Sequence, residues 1–426
     1  MFSTGDEHHH AGAPTRFTTG FVRRTFASLD SRNYRLYFFG DLVSHIGGWM
    51  QTMAEAWLVE TITRNGIAVG ATFAFRFLPV LLFGFWGGTI ADRFDRRRLL
   101  LFTTAASGAL AIVLWAIVYA DVVQLWMVYA LASALGLVVV IDEPARHAFV
   151  EEMVGPDRIT NAFALNGAVG NSARITGPAI AGLLIASVGV AWVFFANAIS
   201  FAAVIVALLA MRTHDLDRPK TRDERPRVRD GLAYAWSITD IRSTLVLVCV
   251  VGTLVYNFPT TLTLMAKNTF GGDAGLAGFL MAILGVGTVA GALIAAHRGR
   301  TSRTNVLVAG ALLGSGMLVA AAVSNRILFE VTLVPVGALA VYFGANAISH
   351  LQVSSAPELR GRVMSIYTVL TLGTTVVGGP TIGYVCERWS PRMGIGVAGI
   401  ATLGISAALS MRTLLRERRA RLVEPH

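Results

Sequence analysis

Charge is scarce in this sequence. Only 15% of its 426 residues are Asp, Glu, Lys or Arg, whereas 54% are hydrophobic. A water-facing surface on a chain of this length needs more charge than that, so a pair of soluble domains is excluded. Cysteine is scarcer still. Cys249 and Cys386, each inside an apolar run, offer no disulfide framework and no thiol pair at metal-ligand spacing. There is no G-x-x-x-x-G-K-[ST] loop to hold a nucleotide, so direct nucleotide-driven pumping has no site. HExxH and GxSxG arrangements are also missing, and His147 and His350 stand alone, which leaves a membrane-bound hydrolase without machinery. The basic-then-apolar layout of a cleavable leader is absent from the N-terminus, and residues 1–30 read as a solvated cytoplasmic tail. Its triplet His8, His9 and His10 reads as incidental, so neither metal nor cofactor is expected.

What the chain has in abundance is apolar runs of helix-spanning length. Reading them against their polar breaks gives spans near 34–60, 66–88, 99–120, 122–143, 160–187 and 189–211, then 241–266, 275–296, 304–323, 327–350, 362–387 and 393–411. The expected fold is an all-α membrane protein of twelve transmembrane helices in two six-helix bundles, 31–211 and 241–411. Residues 212–240, with HDLDRPKTRDERPRVRD, are too charged and proline-rich to lie in lipid and form the linker. Residues 412–426 form a C-terminal tail.

The net charge of +10 invites a nucleic-acid reading, but the basic residues sit in short connections where no long polyanion fits. They set topology instead. Twenty-nine Lys and Arg fall on the side shared by both termini and the linker and five on the other, with Arg76 and Arg174 inside spans. By the positive-inside rule the termini are cytoplasmic and the chain lies in the cell membrane. The halves echo one another: Gly177-Pro178 and Gly379-Pro380 lie deep in the fifth helix of each, and GGTIADRFDRRR from Gly87 pairs with GALIAAHRGRTSR from Gly291. Parallel repeats of this kind suit a carrier whose halves rock about a central site.

The stretch holding Gly88, Asp92, Arg93, Asp95, Arg96 and Arg97 resembles the G-x-x-x-D-R-x-G-R-R loop of the major facilitator superfamily, with Asp95 in place of a glycine. Together with DEPARHAF and NSARITGPAIAG, it resembles the branch of siderophore exporters and actinobacterial drug-efflux proteins. Physically, Gly88 permits close helix approach, Asp92 suits a helix N-terminus, and the arginines hold the turn at the surface. The resemblance implies a gating loop that latches an outward-open state against the start of helix eleven, near Gly361 and Arg362. The bland alternative is that the arginines only enforce orientation.

Asp41, His45 and Glu55 form the second signal. Over 14 residues a helix turns so that Glu55 falls within roughly 40° of Asp41, about 21 Å along the axis. Ionisable groups at that depth face a bundle interior or a wet cavity, and they point to proton handling. Simple hydration at the two interfaces is the competing reading. Arg76 and Arg174 lie near mid-membrane and need partners: Glu55, or an anionic group on a substrate, or a static ion pair. Asn166, Gly170 and Arg174 share a face of the fifth helix leading to a kink at Gly177, Pro178 and Gly182. That segment partly resembles the antiporter signature of the superfamily, with Ala164, Ala173 and Ala181 replacing glycines. Asp142, Glu143, Pro144 and Arg146 read as an interfacial salt-bridge network at a proline that stops the fourth helix, rather than as a proton relay. Trp49 and Phe75 are candidates to line a pocket.

The function expected is proton-coupled export of an amphiphilic small molecule, a drug or siderophore-like metabolite, by a monomer with alternating access. The resemblance carries the direction; composition and spacing fit an importer equally well. A membrane-bound sensor is the remaining alternative.

Overall fold

The computed structural model describes residues 26–216, 228–298, 302–356 and 359–423. The His triplet, most of the linker and the last three residues lie outside these. So do the side chains of Asp92 and of Arg416–Val423.

Twelve long helical units follow one another, and no strand occurs among the described residues. They are α1 Arg32–Thr63, α2 Gly66–Arg93, α3 Arg96–Tyr119, α4 Leu125–Val154, α5 Ile159–Val188 and α6 Val190–Leu209. After a short helix, Val228–Ser237, come α7 Thr239–Thr269, α8 Ala274–Arg298, α9 Arg303–Ala322, α10 Arg326–Ser354, α11 Arg360–Arg388 and α12 Pro391–Val423. Ten of the twelve are long and apolar enough to cross a membrane. The exceptions are α1 and α5, which are long enough but are diluted by the polar residues discussed below.

Local chemistry sets the ends. Ser31, Asn65, Asp95, Ser302 and Asn325 each precede a helix and accept a hydrogen bond from the backbone N–H three residues on, satisfying an orphan donor. Between α5 and α6 the chain turns on a single residue, Gly189, whose φ of +97° a side chain would resist. Ser28 donates to the Arg158 carbonyl and accepts no role in the tail: with its N–H bonded to Asn161, it fastens residues 27–30 to the start of α5.

Two boundaries differ from those read in the sequence. Pro144 does not stop α4, which continues to Val154. Buried neighbours at Ala145 and Phe149 hold the helix past the lost hydrogen bond, and prolines are tolerated inside such helices for this reason. Likewise α12 does not end at 411 but runs on to Val423 through a basic, helix-favouring stretch.

Within the first six helices, α1 packs on α5 and α6, α2 on α4, and α3 on α4 and α6. Within the last six, α8 packs on α10, and α9 on α10 and α12. Only two seams join the sets extensively, α2 against α11 and α5 against α8. Both are glycine seams. A methyl on Gly70 would overlap the Gly379 carbonyl, one on Gly383 the Gly66 carbonyl, and one on Gly278 the Pro178 carbonyl. Backbones approach this closely where small residues replace side chains, which is how helices associate without a hydrophobic driving force.

Candidate functional site: the cleft between the two helix sets

Among the described residues both seams are tightest toward the face opposite the termini, called here the far face. There Glu387 of α11 accepts a 2.8 Å hydrogen bond from the Gly66 N–H, capping the start of α2 across the seam. Lys267 of α7 lies 5.2 Å over the ring of Trp57 on α1. Glu60, Arg64, Lys267, Asn268, Glu387 and Arg392 line a pocket of about 510 Å³ at this rim. Toward the terminal face the contacts run out. Following the α2–α11 register past Leu81 and Gly373 leads to Gly88 and Gly361, yet a Cβ on either would meet nothing within 4 Å. The same holds for Gly167 and Gly170 on α5. The proposed latch between helices two and eleven is therefore not engaged at Gly88; the side chain of Asp92 lies outside the described residues.

The acidic stripe on α1 resolves into two separate ion-paired sites. Asp41 is 3% exposed and receives Arg146 of α4 at 2.7 Å. Arg146 also pairs with Asp142 one turn earlier and donates to the Tyr37 hydroxyl at 3.2 Å. His45 holds the other side of Asp41 at 3.3 Å, and Thr103 donates to Asp142 at 2.6 Å. Two carboxylates, one guanidinium and one imidazole thus share a compact cluster joining α1, α3 and α4.

Glu55 is 2% exposed and faces α2 and α6 instead. Arg76 approaches its Oε2 at 3.4 Å and Thr52 at 3.5 Å, while Gln51 donates to Oε1 at 2.6 Å. Gln51 in turn accepts from Asn197, which is bonded to Ser200. Asp41 and Glu55, expected on one face of α1, are thus paired to different neighbours, α4 and α2.

Of the residues expected on the fifth helix, Asn166 accepts a 2.8 Å bond from the Tyr34 hydroxyl and ties α5 to α1. Gly177 packs on α1, where a Cβ would come within 2.6 Å of that of Trp49 and 2.8 Å of the Ile46 carbonyl. Gly182 packs on α8, 2.8 Å from the Ala274 carbonyl by the same measure. The helix is continuous through Pro178. Local breaks occur elsewhere, as π-turns at Val369–Gly373 in α11 and Met265–Thr269 at the end of α7, neither of which was expected. Arg174 lies under the Trp49 ring, 4.9 Å from its centroid. Phe75, the other residue expected to line a pocket, stacks on Tyr129 of α4 at 4.6 Å.

The loop between α2 and α3 has structural duties. Asp95, standing where the superfamily pattern has glycine, caps α3 by accepting from the Arg98 N–H at 3.0 Å. Arg96 bonds Glu152 of α4 at 2.8 Å. Arg97 donates to the Leu208 and Leu209 carbonyls at 2.7 and 3.3 Å, closing the C-terminus of α6. Arg93 is exposed. Asp142, Arg146, Tyr37, Gln51 and Asn197 belong to the polar network between these helices; of these, the sequence marked Asp142 and Arg146, as part of a salt-bridge cluster of two acids and a base.

Comparison with known proteins decides the family. The model of the family described as "Transmembrane secretion effector" matches residues 23–426. The chain belongs to that family, within the major facilitator superfamily of transporters. The Tap multidrug efflux pump of Mycobacterium tuberculosis is 30% identical over 373 residues, covering 80% of this chain and 84% of its own. The enterobactin exporter EntS of Shigella flexneri is 22% identical and covers 92% of this chain and 94% of its own. The staphyloferrin A transporter of Staphylococcus aureus is 22% identical over 61% of this chain, and the match spans 66% of that protein's length. Among solved structures, the nucleoside transporter NupG aligns over 90% of this chain and 98% of its own with a TM-score of 0.70 at 12% identity, which shows a shared fold. This superfamily member is a multi-pass membrane transporter.

Proposed function

We propose that the chain exports an amphiphilic small molecule from the cell by alternating access, with proton entry driving the cycle. In this reading the halves are 31–211 and 241–411, both termini and the linker are cytoplasmic, all twelve helical units span the membrane, and a monomer is the working unit. The observation that carries it is the asymmetry of the two seams, closed by glycine contacts at the far face and open at Gly88, Gly361, Gly167 and Gly170. Such a cleft is the state in which a carrier loads from the cytoplasm. The efflux direction is supported by the names of the Tap and EntS relatives.

The chemistry follows from the buried clusters. A proton taken up at the Asp41–Asp142–Arg146–His45 group or at Glu55 weakens an ion pair that fixes α1 against α4 or α2. Helix α1 also lines the cleft at Trp49. Protonation and substrate release are thereby coupled through one helix, because a ligand and a proton that favour different states shift one shared equilibrium. The test is uptake of ethidium and rhodamine 6G into inverted membrane vesicles energised with an inward-acidic gradient. Uptake that a protonophore abolishes supports the reading; uptake only by right-side-out vesicles makes the chain an importer and sinks it.

A further inference from the structure

Three arginines lie within helices, away from both faces, and two of them are matched. Arg146 has Asp41 and Asp142, and Arg76 has Glu55. Arg174 is different. Among the described residues no carboxylate lies within 4 Å of it, and its Nε is buried without any hydrogen-bond acceptor. The ring of Trp49 is its one close cation-binding neighbour. An unmatched guanidinium at this depth is costly, and a cation–π contact offsets only part of that cost.

It stands between a closed part of the seam and open space. Arg174 stands at the point on α5 where the seam with α8 begins, since a Cβ on Gly285 of α8 would lie 3.2 Å from the Arg174 carbonyl. Toward the terminal face, Gly170 on the same helix and Gly48 on α1 both border open space. From the other half, Tyr256 of α7 comes close enough to interact electrostatically with Arg174 and with Tyr367 of α11. The Tyr256 and Tyr367 hydroxyls converge at Gly344 of α10, 3.2 and 3.8 Å from where its Cβ would be. Arg174 and Trp49 thus come from the first six helices, and Tyr256 and Tyr367 from the last six.

We propose that Arg174 anchors an anionic group, a carboxylate, on an aromatic or amphiphilic substrate whose apolar body packs among Trp49, Tyr256 and Tyr367. A guanidinium presents a planar fork of donors that a carboxylate fills with two parallel hydrogen bonds. The anion matches a guanidinium charge that no described carboxylate within 4 Å matches, and the rings supply the stacking surface. Because α5 and α7 belong to different halves, a ligand held between Arg174 and Tyr256 touches both and is sensed by both. This inference deepens the export reading and rests on it.

The test uses the purified full chain in lipid nanodiscs and two neutral-sized probes, 4-nitrobenzoate and 4-nitrobenzamide, whose nitro groups quench indole fluorescence on contact. The carboxylate is expected to quench saturably with an apparent affinity about 10- to 100-fold tighter than the amide, the range for a charge-assisted hydrogen-bonded pair. Arg174→Gln removes the preference, Arg174→Lys keeps part of it, and Trp49→Phe removes most of the saturable amplitude. Equal affinities for the two probes in the unaltered protein overturn the proposal, as does a preference that survives Arg174→Gln. The unaltered-protein comparison decides even where a variant does not fold. Vesicle export with no carboxylate preference removes the anion site alone, whereas an Arg174-dependent preference without any export removes the transport reading alone.

Discussion

Adding one methyl to the far-face seam should push the protein toward its opposite state. In Gly66→Ala the new Cβ lies 2.7 Å from the Gly383 carbonyl and 3.0 Å from a methyl of Leu264. Comfortable contact for carbon begins near 3.4 Å, so α2 and α11 must part by about 0.7 Å or Leu264 must move. Overpacking of this kind costs about 1–3 kcal/mol. Because the cost falls only on the state in which the seam is closed, it shifts the equilibrium about 5- to 150-fold toward far-face opening. A native reporter is at hand. Cys386 is 4% exposed, packs with Leu264 and Ile382, and borders the rim pocket, so opening of the seam uncovers it. With Cys249 replaced by Ser, the rate of alkylation of Cys386 by a membrane-impermeant maleimide should rise by that factor. Gly404→Ala, where the added Cβ meets nothing within 4 Å, should leave the rate unchanged. A Gly66→Ala rate equal to or below that of the parent would refute the reasoning.

Further consequences are open to direct measurement. Arg146→Gln leaves Asp41 and Asp142 facing each other and should destabilise the fold by about 3–5 kcal/mol in thermal unfolding, with Asp41→Asn added to it restoring part of the loss; additivity of the two changes would count against the cluster. Asp41→Asn and Glu55→Gln should flatten the pH dependence of export across about pH 6–8, and full-rate, unchanged profiles in both would end the proton proposal. Asp95→Ala should lower stability by about 0.5–2 kcal/mol through loss of the α3 cap, whereas Asp95→Gly, the superfamily residue, should cost only a few tenths. Glu387→Gln weakens the cap on α2 across the seam and should raise Cys386 reactivity in the same direction as Gly66→Ala, by less than tenfold.

The helical units and their order were legible because lipid imposes one rule, long apolar runs with charge between them, on every span. Gly177, Pro178 and Gly182 read in the sequence as a kink, whereas α5 is assigned as one helix through them and the two glycines pack on α1 and α8. Pairing of the buried charges was legible where a mid-membrane cation needed a carboxylate, as for Arg76 and Glu55, and where acids and a base cluster in sequence, as for Asp142 and Arg146. Which helix Asp41 faces depends on how six helices are rotated about one another, and a single sequence holds no record of that. Pro144 misled because its local cost was weighed without the tertiary contacts that outweigh it. Asp95 looked like a departure from a motif, yet it does the ordinary work of a helix cap.

The account stands on one exchange: the cleft that is open at the terminal face and sealed at the far face must invert. Spin labels at Arg98 and Arg360 report the first opening, and labels at Arg64 and Arg388 report the second; all four side chains are exposed. Pulsed electron-spin distance measurements in nanodiscs, as pH is lowered from about 8 to about 6, should show the first distance shortening as the second lengthens, in matched populations. Distances that stay fixed, or that change in the same sense at both faces, would contradict it.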